Sequence, residues 1–282
     1  ACLAGTWQAD TGQTSCDDAE AGYYVDSSAQ SIQTPCALGT YQSSTGQTNC
    51  DAAEAGYYVD STAQTSQTEC AAGTYQNQTG QNTCIDAEAG YYVDSDASSI
   101  QTACLAGTWQ ADTGQISCDD AEPGYYVDSD ASSTQTACLA GTWQADTGQT
   151  SCDDAEAGYY VDQDASSTQN MCEEGTYQTN FSQISCIVTD IGYFADGEGN
   201  IEQTPCPEYT STLNLESNSE DCIIDTDWDL IVDIIDDDDD GDGFQDEIDD
   251  FPYDFSEWSD SDSDGIGNNA DEDDDGDGTL DE

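Results

Sequence analysis

Lysine, arginine and histidine are absent from this 282-residue chain, which carries 62 aspartates and glutamates and a formal net charge of −62. Average usage would supply on the order of thirty basic residues in this length. With no basic side chain there is no internal side-chain salt bridge. Every carboxylate must be solvated, accept hydrogen bonds or be neutralised by an imported cation. The same charge repels nucleic-acid phosphates and anionic headgroups, which excludes nucleic acid as a partner. Catalysis loses most of its tools as well: no His to activate a nucleophile, no Lys for a Schiff base, no cation to hold phosphate. A carboxylate pair can hydrolyse a glycoside, but among 62 acids any pair can be found, so the chain is read as non-enzymatic.

Long apolar runs are missing too. No segment reaches the length that crosses a bilayer, and no apolar signal segment is present, so direct membrane insertion is not expected. The chain opens at Ala1 without an initiating Met, which reads as the start of a mature or excised segment.

What is present is a ruler of fourteen cysteines, at 2, 16, 36, 50, 70, 84, 104, 118, 138, 152, 172, 186, 206 and 222. Up to Cys206 the gaps alternate 14 and 20, which defines a 34-residue unit, first seen as CLAGTWQADTGQTSCDDAEAGYYVDSSAQSIQTP from Cys2 to Pro35. The boundaries fall at 1–35, 36–69, 70–103, 104–137, 138–171 and 172–205, followed by a partial repeat at 206–222 and an acidic segment at 223–282. Without histidine or a C-x-x-C pair the cysteines make a poor zinc or iron–sulfur set, and an even count at fixed spacing reads as disulfides. Disulfides persist in oxidising compartments, so the expected location is extracellular or at a cell surface.

Two pairing schemes fit the ruler. Bridges over the short gaps use every cysteine: Cys2–Cys16, Cys36–Cys50, Cys70–Cys84, Cys104–Cys118, Cys138–Cys152, Cys172–Cys186 and Cys206–Cys222. Bridges over the long gaps strand Cys2 and Cys222, so the short loops are preferred. A closed loop of about 15 residues contributes roughly 3 kcal/mol by restricting the unfolded chain. A unit this small needs that help together with packing on its neighbours.

A 34-residue period also belongs to helical tetratricopeptide repeats, but here β-type runs alternate with Gly, Asp, Ser and Thr clusters. GTWQ or GTYQ after the first cysteine and GYYVD after the second are the expected strands. In this reading Trp7, Tyr23 and Val25 cover the disulfide, and Tyr24 packs on the adjoining repeat. Tyr24, Tyr58, Tyr92, Tyr126 and Tyr160 would then form a ladder open to lateral self-assembly or glycan stacking. The expected fold is small disulfide-rich all-β repeats stacked into an elongated rod, ending in an irregular segment with little regular secondary structure.

At C-x-x-G-T-Y, G-Q-x-x-C and G-Y-Y the units resemble ephrin-receptor-like and tumour-necrosis-factor-receptor-like cysteine-rich repeats, from Cys2 to about Cys222. The resemblance implies an extended, disulfide-laddered extracellular module. The chain departs from it after Cys16, where Ala19 and Glu20 stand in place of further cysteines.

After Cys222 the composition changes, and 27 of the 62 acids fall in the last 60 positions. The spacing D-x-D-x-D-G-x-x-D-x-x-[DE] suits a hard cation that takes six to eight oxygens, because alternating Asp side chains converge from one loop and Gly allows the sharp turn. It is met at Asp238, Asp240, Asp242, Asp246 and Asp249, and again at Asp260, Asp262, Asp264, Asn268 and Asp271. A third copy begins at Asp273, Asp275, Asp277 and Asp281 and stops before its last ligand, which predicts that the source protein continues. A weaker copy at Asp225, Asp227, Asp229, Asp233 and Asp236 has Leu230 where Gly is wanted, which weighs against a ligating role. Calcium is the expected ion. The succession of loops without flanking helices resembles thrombospondin type 3 repeats over 225–282, and implies a backbone wrapped around its ions, with Asp236, Asp249 and Asp271 shared between loops.

Taken together, these features predict an extracellular structural element, a calcium-stabilised stalk or fibre segment. Its expected partners are calcium ions and, for assembly, other copies of itself. The alternative is an adhesion module that binds glycans or a protein through its aromatic repeats; a weaker third is calcium buffering or mineral nucleation by the tail. Sequons at Asn77 and Asn180 permit glycosylation.

Overall fold

The computed structural model describes residues 1–280 and contains thirteen two-stranded antiparallel hairpins followed by an irregular acidic segment. The chain divides into two compact units. One comprises Ala1–Cys138 with Gln144–Cys152, the other Leu139–Trp143 with the chain from Asp153 onward. Among the described residues the helical content is two single 3-10 turns, Ser219–Asp221 and Asp246–Ile248.

The first hairpin pairs Thr6 with Asp18 and Trp7 with Asp17; the second pairs Tyr23 with Pro35 and Tyr24 with Thr34. Each opens on a tight turn. The Thr6 amide donates to the Leu3 carbonyl at 3.0 Å and the Tyr23 amide to the Glu20 carbonyl at 3.0 Å, with Gly5 (φ 84°) and Gly22 (φ 87°) at the third turn position. That position requires a left-handed backbone, the conformation glycine adopts without steric cost. In the copy at Glu122-Pro123-Gly124-Tyr125, proline takes the second position, which suits the same turn type.

The structural period is therefore half the cysteine period. Hairpins begin every 17 residues, and disulfide-bonded ones alternate with ones that have no cysteine. Disulfides join Cys2 to Cys16, Cys36 to Cys50, Cys70 to Cys84 and Cys104 to Cys118. The remaining three join Cys138 to Cys152, Cys172 to Cys186 and Cys206 to Cys222. In the alternate hairpins the first cysteine is replaced by a buried alanine such as Ala19, Ala53 or Ala87. The second is replaced by a glutamine such as Gln33.

Backbone hydrogen bonds link successive hairpins, where aromatic contacts alone are expected to join neighbours. Gly5 donates to the Val25 carbonyl at 2.8 Å, Gly22 to Gln42 at 2.8 Å, Gly39 to Val59 at 2.8 Å and Gly56 to Gln76 at 2.8 Å. Ala29 donates back to Cys2 at 2.9 Å and Gly46 to Ala19 at 2.7 Å. The backbones come so close that a Cβ on Gly5 would overlap the Gly46 carbonyl oxygen, so these glycines are needed for space as well as for φ.

The core is correspondingly thin. In the first unit its buried residues include Cys36, Ala53, Cys70, Ala87, Cys104 and Ala121, spaced 17 apart in sequence, and a second series with the same spacing in which Val25, Val59, Val93 and Val127 alternate with Gln42, Gln76 and Gln110. The buried glutamines satisfy themselves locally: Gln42 Nε2 donates to the Asn49 carbonyl at 3.1 Å and its Oε1 accepts from the Ser44 amide at 3.0 Å. Trp7, Tyr23 and Tyr24 are all half-buried, so neither face of the tyrosine strand is fully covered.

Candidate metal centres of the acidic segment

Four aspartate triplets each bring three carboxylate oxygens within 4.8 Å of one another: Asp225/Asp227/Asp229, Asp238/Asp240/Asp242, Asp260/Asp262/Asp264 and Asp273/Asp275/Asp277. The local cause is a chain of turns in which the second and third Asp of each triplet accept from the amide two residues on. Asp240 Oδ1 accepts from Asp242 at 3.1 Å and Asp242 Oδ1 from Phe244 at 2.7 Å; Asp262 and Asp264 accept from Asp264 and Ile266 at 3.1 and 2.9 Å. The first Asp of each glycine-bearing loop reaches across to the glycine amide: Asp238 Oδ2 to Gly243 at 3.1 Å, Asp260 Oδ2 to Gly265 at 3.0 Å, Asp273 Oδ2 to Gly278 at 2.9 Å. One loop edge thus becomes a concave cluster of oxygens.

The first triplet forms without its glycine. Leu230 adopts φ 75° where Gly243, Gly265 and Gly278 adopt 100°, 92° and 87°. Trp228 likewise takes φ 67° where Gly241 takes 71°. A left-handed backbone at a bulky residue is uncommon and costly. The three carboxylates come together all the same, although Leu230 stands where Gly is wanted.

The ninth loop residues do something different. Asp246 Oδ1 accepts from the Asp239 amide at 2.9 Å, and Asn268 Oδ1 from the Ser261 amide at 2.8 Å. They pin the start of each loop and stand outside the triplets. The twelfth residues lie closer. Asp236, Asp249 and Asp271 are near enough to raise the pKa of Asp227, Asp240 and Asp262, respectively, and Asp236 and Asp271 also accept from the first amide of the next loop, Asp238 at 3.1 Å and Asp273 at 2.9 Å. Asp281 lies outside the described residues.

Burial is greatest in the second loop. Asp239, Asp240 and Asp249 are buried, and five carboxylate oxygens, Asp238 Oδ1, Asp239 Oδ1, Asp240 Oδ2, Asp242 Oδ2 and Asp249 Oδ2, have no hydrogen-bond partner among the described residues. Burial pushes the Asp240 carboxyl up, and the charges of Asp242, Asp249 and Asp238 add to it; burial likewise raises Asp225, helped by Asp227 and Asp229. Asp239 is pushed up to about 6 by burial, then by Asp246, Asp233 and Asp236. Buried, unpaired anionic oxygens are costly unless a cation meets them. An all-oxygen donor set at this spacing fits a hard divalent ion, and no soft ligand is nearby. Phe244 stacks on Trp258 beside this loop, with ring centroids 5.3 Å apart and planes 4° apart.

Where the last hairpin meets the acidic segment, a mostly apolar cavity of about 900 Å³ is lined by residues including Tyr209, Ile223, Ile224, Asp233, Ile234 and Tyr253. Asn77 and Asn180 are exposed, each just after a strand of its hairpin. No helix among the described residues is long and apolar enough to cross a membrane. No protein-family model matches the chain, and no curated protein matches it.

Proposed function

We propose that the chain is a structural segment of an extracellular or cell-surface protein: a disulfide-laddered spacer whose acidic end is held by calcium. The observation that carries the reading is the uniformity of the hairpin-to-hairpin bonding. The same glycine-to-carbonyl bond recurs at Gly5, Gly39, Gly73 and Gly107 with distances of 2.7–2.8 Å, and the series changes next to the acidic segment, where the Gly192 amide donates to Thr212 Oγ1 at 3.0 Å. A specific binding surface usually makes one repeat differ; a spacer does not. Seven disulfides with no free cysteine support the oxidising location. The four oxygen clusters and the orphaned carboxylates of the second loop support calcium as the counter-charge.

The reading is non-enzymatic, and the resemblances to ephrin-receptor-like and thrombospondin type 3 repeats belong to it as proposals. Electron microscopy of the purified chain in calcium and then in chelator tests it. Single extended particles or their polymers, with a calcium-dependent end, are expected; globular particles indifferent to calcium would sink it. Saturable binding on a glycan array would move the reading to adhesion.

A further inference from the structure

We propose that Asp239 and Asp246, with Asp236, hold a divalent cation of their own, distinct from the ion of the Asp238/Asp240/Asp242 triplet; this rests on reading the neighbouring loops as calcium loops. The argument comes from comparing the same two positions, the second and the ninth, in three loops. In the first loop they are Thr226 and Asp233, and Thr226 Oγ1 donates to Asp233 Oδ2 at 2.9 Å. In the third they are Ser261 and Asn268, and Asn268 Nδ2 donates to Ser261 Oγ at 2.7 Å. Each pair has one donor and one acceptor, so it closes without help.

The second loop keeps the frame and breaks the chemistry. The Asp239 amide still donates to Asp246 Oδ1 at 2.9 Å, but both side chains are carboxylates, and neither has a proton to give at neutral pH. Asp239 is only 5% exposed, and its Oδ1 has no partner among the described residues. Asp246, Asp233 and Asp236 are the charges that press on it, and the Tyr253 hydroxyl donates to it. Both Asp233 oxygens are taken by Thr226, which leaves Asp236 and Asp246 as the neighbouring carboxylates whose charge Asp239 feels. Asp236 and Asp246 line a polar cavity of about 230 Å³ with Asp237, Gln245 and Glu247, and Asp239 lies outside that lining.

A chain without Lys, Arg or His has no side chain of its own to neutralise this cluster. The four triplets are the groups whose three oxygens lie within 4.8 Å, so this site is looser. It suits a hard ion that keeps part of its water shell and takes two or three carboxylates, the coordination habit of magnesium and of weakly held calcium. The Asp–Asp pairing recurs in sequence at Asp274 and Asp281.

The test is ion counting on the full chain by elemental analysis after equilibration with calcium, repeated with magnesium. The double variant Asp239→Ser/Asp246→Asn copies the Ser261–Asn268 pair, which the protein already accommodates, and the Trp258 fluorescence and thermal midpoint in calcium serve as its folding control. A count one ion lower than the parent, in at least one of the two metals, is expected. An unchanged count overturns the proposal, and so does the loss of more than one ion, which would make Asp239 part of the triplet's own site. If the double variant does not fold, Asp239→Thr, which copies the Thr226 position, is counted in its place against the same outcomes. Asp242→Asn in parallel separates the two readings: loss of an ion there with none lost in the double variant sinks only this proposal, while the reverse sinks the loop reading.

Discussion

Gln33 clasps Glu20 from both ends: its Oε1 accepts from the Glu20 amide at 2.8 Å, and its Nε2 donates to Glu20 Oε2 at 3.0 Å. Gln33 stands where the preceding hairpin has Cys16, so the clasp is the polar counterpart of the disulfide. Gln67, Gln101 and Gln135 repeat it on Glu54, Glu88 and Glu122. The fold thus alternates a covalent closure with a hydrogen-bonded one.

The two closures are expected to differ in strength. Gln101→Ala removes two exposed hydrogen bonds and should cost about 1 kcal/mol, whereas Cys70→Ser with Cys84→Ser opens a closed loop and should cost about 3 kcal/mol. Urea unfolding midpoints of the two variants compare them directly. Equal losses would mean that the disulfide adds nothing beyond the clasp.

Glycines at the hairpin crossings should be far less replaceable than those in open turns. Gly56 and Gly12 share nearly the same φ, 86° and 84°, but a Cβ at Gly56 would strike the Ala97 carbonyl, while at Gly12 nothing lies within 4 Å. Gly12→Ala is expected to cost about 1 kcal/mol, the left-handed penalty alone. Gly56→Ala adds a backbone displacement and should reach roughly 3 kcal/mol. Thermal melts of the two variants settle the difference.

Calcium removal should loosen the acidic segment and leave the hairpins in place. The stacked Phe244–Trp258 pair gives a local optical signal. Chelator should abolish the near-ultraviolet dichroism of that pair, while the disulfide-bonded hairpins keep their far-ultraviolet spectrum. Asp240→Asn should weaken calcium binding about tenfold or more. A spectrum indifferent to chelator would contradict the role given to the ion.

Acidity should act in opposite directions with and without metal. Asp239 titrates at about 6 in the folded chain against an ordinary 3.8, so between those values the folded state binds the extra proton. Cation-free stability therefore falls as pH rises from about 4 to about 6 and stays low above that. Calcium reverses the order, because protons compete for the same oxygens. In chelator the Trp258 transition should have a higher midpoint at pH 5 than at pH 7.5, and in saturating calcium a lower one; the same order in both conditions would refute the linkage.

Much of this architecture was legible in the residues. Cysteine spacing, β-type runs and Gly-bearing turns led to small disulfide-bonded antiparallel units and an irregular acidic end, since each depends on local chemistry. The 17-residue half-period was also written there, in Gly5, Gly22, Gly39 and Gly56, but the cysteines masked it because only alternate hairpins carry them. At Leu230, propensity and aspartate spacing pull in opposite directions. Propensity argues against a left-handed leucine, and the neighbouring aspartates override it.

By itself the sequence determines the period, the absence of any internal cation and the regular placement of carboxylates two residues apart, because these are properties of composition and order. Only the tertiary structure decides which oxygens end up buried and unpaired, and how one hairpin is tied to the next. Asp238 and Asp260 begin loops with the same alternate aspartates and the same glycine position, yet it is the second loop that buries orphaned oxygens, because burial depends on the chain packed around it. Likewise, no spacing rule distinguishes Gly56, pressed against a neighbouring carbonyl, from Gly12, which faces open space: the backbone that comes close at Gly56 arrives from the following unit.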